Sequence, residues 1–110
     1  MITRQRLPNR RAHEVIPFTF SGIRFTAGIG RFEDGRTAEI FIDSNKAGSA
    51  VEASARSAAI IASIALQHGI PLQTIHHALQ LDERGQATSA IGAIVAILLR
   101  EPEPTKEICP

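Results

Sequence analysis

The chain has 110 residues, with 44% hydrophobic and 21% charged side chains and a net charge of +1. Those values fit one ordinary globular domain and exclude wholesale disorder, a large catalytic barrel and a strongly basic or acidic field that would draw nucleic acid or membrane. The longest apolar run, Ala90 to Leu99, falls well short of the ~20 residues needed to cross a bilayer, so it is expected to form a buried helix.

Residues 1–12 are polar and basic, with Arg4, Arg6, Arg10 and Arg11 ahead of the first acidic residue, Glu14. This stretch reads as an extended arm. It lacks the apolar core of a signal peptide, and with one cysteine, Cys109, the expected compartment is the cytoplasm.

From Val15 the side chains alternate, with Ile16, Phe18 and Phe20 on one face, which predicts a strand; Pro17 places it at a sheet edge or a strand start. Ser21-Gly22 suits a tight hairpin into a second strand that carries Ile23, Phe25, Ala27 and Ile29 on one face. Gly28 and Gly30 on the opposite face mark a bulge or a close approach by another backbone. Asp34-Gly35 supplies the next turn. A third strand, about Thr37 to Ile42, buries Ala38, Ile40 and Ile42 and turns Glu39 outward.

Ser49-Ala50-Val51-Glu52 fits a capping box, so a long helix begins there. Glu52, Arg56, Ser63 and Gln67 form one narrow polar stripe on it, and nearly all its other residues are Ala, Ser, Ile, Val or Leu. That pattern predicts a helix buried around most of its circumference. Gly69 ends it and Pro71 opens a second helix with Leu72, Ile75 and Leu79 as its apolar face. A polar loop around Gly85 follows, then Thr88 or Ser89 caps a third helix ending near Arg100. Pro102 and Pro104 make the acidic end, 101–110, a mobile tail.

The predicted fold class is therefore α+β: a three-stranded antiparallel meander over about 15–42, followed by three helices (about 49–68, 71–80 and 89–100) packed on one face of the sheet. Residues 13–100 form a single domain.

Few side chains suggest chemistry. His76 and His77 are adjacent and point ~100° apart on a helix, so no metal site is expected. Lys46-Ala47-Gly48-Ser49 before a helix start makes Lys46, Gly48 and Ser49 candidates for a phosphate or nucleotide contact. Arg10, Arg11 and Arg36 are candidates for docking or anion contact. Aromatic side chains for base stacking are scarce, with five Phe, no Trp and no Tyr.

The ordered set Leu7-Pro8-(x)-Arg10-Arg11, Asp34-Gly35-Arg36, Glu39-Ile40-Phe41, Lys46-(x)-Gly48-Ser49 and Ala65-Leu66-(x)-(x)-Gly69-Ile70-Pro71-Leu72 resembles the TSCPD domain. That domain occurs near the C-terminus of vitamin B12-dependent ribonucleotide reductases and as small separate proteins. The Thr-Ser-Cys-Pro-Asp segment that names the family has become Thr88-Ser89-Ala90-Ile91-Gly92 here, so a role for its cysteine does not carry over. The resemblance implies an accessory or regulatory module that supports deoxyribonucleotide synthesis by docking on a reductase large chain, with a nucleotide or a homo-oligomer as further partners. Adenosylcobalamin belongs to the full-length enzyme, and no cofactor is expected in the isolated chain. A small nucleic-acid- or nucleotide-binding module using the arginine arm is the alternative. Reductase activity in the isolated chain is not expected, because one cysteine cannot form the dithiol and the length does not hold the barrel.

Overall fold

The computed structural model describes residues 13–45, 48–79 and 81–100. The elements run β1 (His13–Phe20), β2 (Ile23–Arg31), β3 (Thr37–Ser44), α1 (Ala50–Gln67), α2 (Leu72–Ala78) and α3 (Ala90–Arg100). The strands pair antiparallel in the order β1-β2-β3, so the meander and the three following helices are as the alternation and caps predict. The first strand starts at His13, two residues before the predicted one, and the third runs on to Ser44.

Local chemistry explains the turns. Phe20 pairs with Ile23, leaving Ser21 (φ 53°) and Gly22 (φ 76°) as central residues that are both left-handed, as a type I′ hairpin turn requires. The second hairpin breaks register between Gly30 and Arg31, which is the predicted bulge. The close approach at the two glycines comes from side chains and not from backbone: the His13 ring lies over Gly28 and the Glu39 carboxylate over Gly30. Glu39 therefore belongs to the outer face of the sheet, as expected, but it is buried there.

The inner face of the sheet carries Phe18, Phe25, Ala27, Ile29, Ile40 and Ile42. These residues meet Ala55, Ala59, Ala62 and Leu66 of α1 and Ile91, Ile94, Val95 and Leu98 of α3. Both sets on the helices recur at spacings of three and four, so each helix buries one stripe. α1 and α3 begin alike: Ser49 Oγ accepts from Glu52 N–H at 3.1 Å, and Ser89 Oγ accepts from Gly92 N–H at 3.2 Å. The segment after α2 is not an open loop. Leu81 bridges Ala87, and Asp82 Oδ1 accepts from the N–H groups of Arg84 and Gln86 at 2.9 Å each. α2 ends at Ala78, ahead of the predicted Gln80.

α1 departs from its predicted setting. Its polar stripe faces the edge of β3: Glu52, Ser63 and Gln67 are buried, while Arg56 stays exposed and donates to Asp43 Oδ1 at 2.9 Å. Ile61 is 68% exposed, and Val51, Ile60 and Ile64 are between 41% and 49% exposed. The cause is the free edge of β3. Ile40 N–H donates to Ser63 Oγ at 2.8 Å, Ser63 Oγ lies 3.1 Å from Ile40 O, and Gln67 Nε2 donates to Ala38 O at 3.1 Å. At the far end Ser44 N–H reaches Glu52 Oε2 at 3.4 Å. The stripe takes the place of a fourth strand, satisfying backbone groups that burial would otherwise strand. The isoleucines are thereby turned to the surface.

Candidate functional site

Sequence reasoning places an anion contact at the start of α1, and the structure shows what occupies that position. Ser49 Oγ is committed to Glu52 N–H, and Gly48 N–H donates to Glu52 Oε1 at 3.0 Å. The reciprocal bond of the capping box thus goes to the residue before the cap and not to the cap itself. The Gly48 N–H bond is the main influence lowering the Glu52 pKa, with help from Ser44 N–H and the Arg56 charge and against the cost of burial. The helix start already holds a carboxylate, so a phosphate arriving at Gly48 and Ser49 has to displace it. Lys46 lies outside the described residues, as do Arg10, Arg11 and Cys109.

Arg36 is exposed, and its Nε donates to Asp34 Oδ2 at 2.7 Å. Its guanidinium carbon sits 4.8 Å from the Phe32 ring centroid, a cation–π contact that holds the side chain over the turn. Together with Phe32, Thr37, Leu66, Gly69 and Leu72 it borders a cavity of about 160 Å³. Arg36 precedes β3 and Ser49 follows it, so an eight-residue strand separates the two.

A different surface stands out that residue types alone did not flag. The helices cover only one face of the sheet. On the other, Val15, Gly28 and Phe41 form one cross-strand row. Val15 is 64% exposed and Phe41 46% exposed, with the missing side chain of Gly28 between them. The His13 and Phe41 rings are 6.4 Å apart, tilted by 39°. Thr19, Arg24, Thr26 and Asp43 lie on the same face toward the other end of the strands. The result is a shallow apolar saddle with a polar rim, the layout of a protein contact patch. The sequence signal was the outward parity of Val15 and Phe41 on either side of Gly28.

Among the described residues, no three His, Cys, Asp or Glu side chains converge as metal ligands, and no helix is long and apolar enough to cross a membrane. A groove of about 450 Å³ between α1 and the start of α3 is lined by Ala, Ile, Val and Phe apart from Ser54 and Ser89. It presents no charged group for a nucleotide or corrinoid, so this groove does not fit adenosylcobalamin.

Comparison with known proteins gives a consistent picture. The family model described as the TSCPD domain matches residues 4–103. A protein of Agrobacterium fabrum named vitamin B12-dependent ribonucleotide reductase is 43% identical over 70 residues, covering 64% of this chain and 6% of that protein. Proteins of the same name from Bradyrhizobium diazoefficiens and Rhodopirellula baltica are each 36% identical over 72 residues, covering 66% of this chain and 6% and 7% of theirs. The match thus spans only a small part of the length of these curated relatives. No solved structure matches the chain.

Proposed function

The chain belongs to the TSCPD domain family, and from that premise we propose that it is an accessory or regulatory module of ribonucleotide reduction, working in the cytoplasm by docking on the catalytic part of a reductase. The observation that carries this reading is the uncovered sheet face, where Val15 and Phe41 stand exposed around Gly28. An aromatic anchor at the centre of such a patch is the usual source of contact energy, and the polar rim supplies register. Relatives named as reductases contain the matching segment as 6–7% of a much longer chain, which supports a partner of that kind. Radical chemistry stays with the partner, since the single cysteine of this chain cannot act as a dithiol.

The test is binding of the purified chain to a vitamin B12-dependent reductase large chain, measured by interferometry alongside nucleotide reduction. Saturable binding is expected, and Phe41→Glu should weaken it at least about tenfold while leaving the circular dichroism spectrum unchanged. A chain that neither binds the reductase nor alters its turnover refutes the docking role.

A further inference from the structure

The bulge of the second hairpin re-aims one side chain. Gly30 pairs with Glu39 but Arg31 pairs with Thr37, so Ala38 is the extra residue. Strict alternation would put Thr37 on the bare face beside Glu39. The bulge turns it to the helix side, where it lines the cavity of about 160 Å³ together with Leu66 of α1 and Leu72 of α2. Thr37 is only 3% exposed. Among the described residues its Oγ1 is the one buried side-chain oxygen or nitrogen without a hydrogen-bond partner. A buried hydroxyl left unpaired is costly, so its position marks where a partner belongs.

The cavity is built in advance. Gly69 (φ 93°) closes α1 with the two bonds of a Schellman motif, Ile70 N–H to Ala65 O at 3.0 Å and Gly69 N–H to Leu66 O at 3.1 Å. That cap turns the chain so that Pro71 and Leu72 border the same cavity as Phe32 and Thr37. Arg36 stands at the rim with its side chain half-exposed. Its contact with the Phe32 ring and the bond from Nε to Asp34 Oδ2 fix the guanidinium. The Nη1–Nη2 edge is left as a fork of donors, the geometry that matches a carboxylate.

We propose that this cavity binds a small branched organic acid. The carboxylate pairs with the Nη1–Nη2 edge of Arg36, a hydroxyl or oxo group beside it partners Thr37 Oγ1, and the hydrocarbon body packs on Phe32, Leu66 and Leu72. Size sets the class: a cavity of ~150 Å³ holds one benzene, so this one takes a body of about three to five carbons and not a whole nucleotide. Charge agrees with it. Arg36 is the one charged residue of the lining among the described residues. The end of α1 brings a partial negative charge, but its last carbonyls are engaged by the Schellman bonds, and the charge-assisted fork is the larger effect.

The experiment is titration of the isotope-labelled full chain with α-hydroxyisovalerate, followed through its backbone amide resonances. Saturable shifts at Thr37, Leu66 and Leu72 are expected, with a Kd of about 1 mM or tighter. Arg36→Met keeps an apolar contact with Phe32 and should weaken binding at least about tenfold. Thr37→Val should weaken it about fivefold, yet leave unchanged the binding of isovalerate, which lacks the hydroxyl. Without ligand, the valine variant should unfold in urea at or above the wild-type midpoint, since no protein hydrogen bond is lost. Absence of saturable shifts at these amides overturns the proposal, as does equal binding by wild type and Arg36→Met. Equal affinity of wild type and Thr37→Val for the hydroxy acid also overturns it, and so does a lowered midpoint for Thr37→Val, which means that the hydroxyl is already partnered. None of these readings involves a reductase or Phe41, so they stand or fall separately from docking.

Discussion

Ser63→Ala is the sharpest perturbation of the α1–β3 contact. Ser63 is buried, and its hydroxyl is the partner of Ile40 N–H, which points away from β2 at the sheet edge. The same oxygen lies 2.9 Å from Ala59 O and 3.1 Å from Ile40 O, so its one proton serves either carbonyl while its lone pairs serve the amide. Removing it strands a buried donor at a cost of about 1–3 kcal/mol. Alanine is the better helix former by about 0.5 kcal/mol, which offsets part of this. The net loss is about 1.5 kcal/mol, and for a domain of this size it lowers Tm by about 6–12 °C. Urea unfolding followed by far-ultraviolet circular dichroism measures it, with Ser57→Ala on the exposed side of the same helix as the control. Ser57→Ala should be neutral or slightly stabilising. Equal unfolding midpoints for the two variants would refute the claim that the polar stripe closes the sheet edge.

Gly30→Ala puts a methyl group into the Glu39 side chain, and displacing that buried carboxylate should cost about 1–3 kcal/mol by the same unfolding assay. Ser21→Asn keeps the left-handed turn residue but replaces a type that disfavours φ > 0 with one that tolerates it; the midpoint should rise by about 0.5–1 kcal/mol of stability. Glu52 has a folded pKa below its ordinary 4.5, so its contribution is complete above that value and disappears as pH falls through the lower folded value. Denaturant unfolding between pH 6 and 3 should therefore show the wild type losing stability below about pH 4.5, and Glu52→Gln should flatten that fall. Parallel pH profiles for the two proteins would rule out this role for Glu52.

Much of the architecture was legible from residue pattern. Alternation placed Phe18, Phe25, Ile29 and Ile40 in the core, and Ser49 marked the start of α1 through a hydrogen bond that the structure contains. The orientation of α1 was not legible. A period of 3.6 shows that Glu52, Ser63 and Gln67 share a face but does not show whether solvent or protein lies opposite. Polar residues usually face water. Here they face backbone, because an edge strand buried beneath a helix leaves amides and carbonyls that only polar side chains can satisfy. Glu39 was placed on the correct face, but its burial was not legible for a related reason: its space exists only because Gly30 across the ladder lacks a side chain. Of the site residues, Ser49 and Arg36 are engaged with neighbours from their own turns, which spacing alone does not reveal. The apolar saddle depended on which sheet face the helices leave bare.

Among the described residues, with one border of the sheet stoppered by the side chains of α1, ribbon extension has a single remaining terminus, along β1. An object with one adhesive rim is monovalent: two such rims can join and then nothing is left to recruit a third. Strand-by-strand growth therefore halts at a pair, and fibre formation requires first prising α1 from its seat. Loosening that helix, for instance by losing the Ser63 hydroxyl, should thus raise the propensity to polymerise as well as lower the melting point.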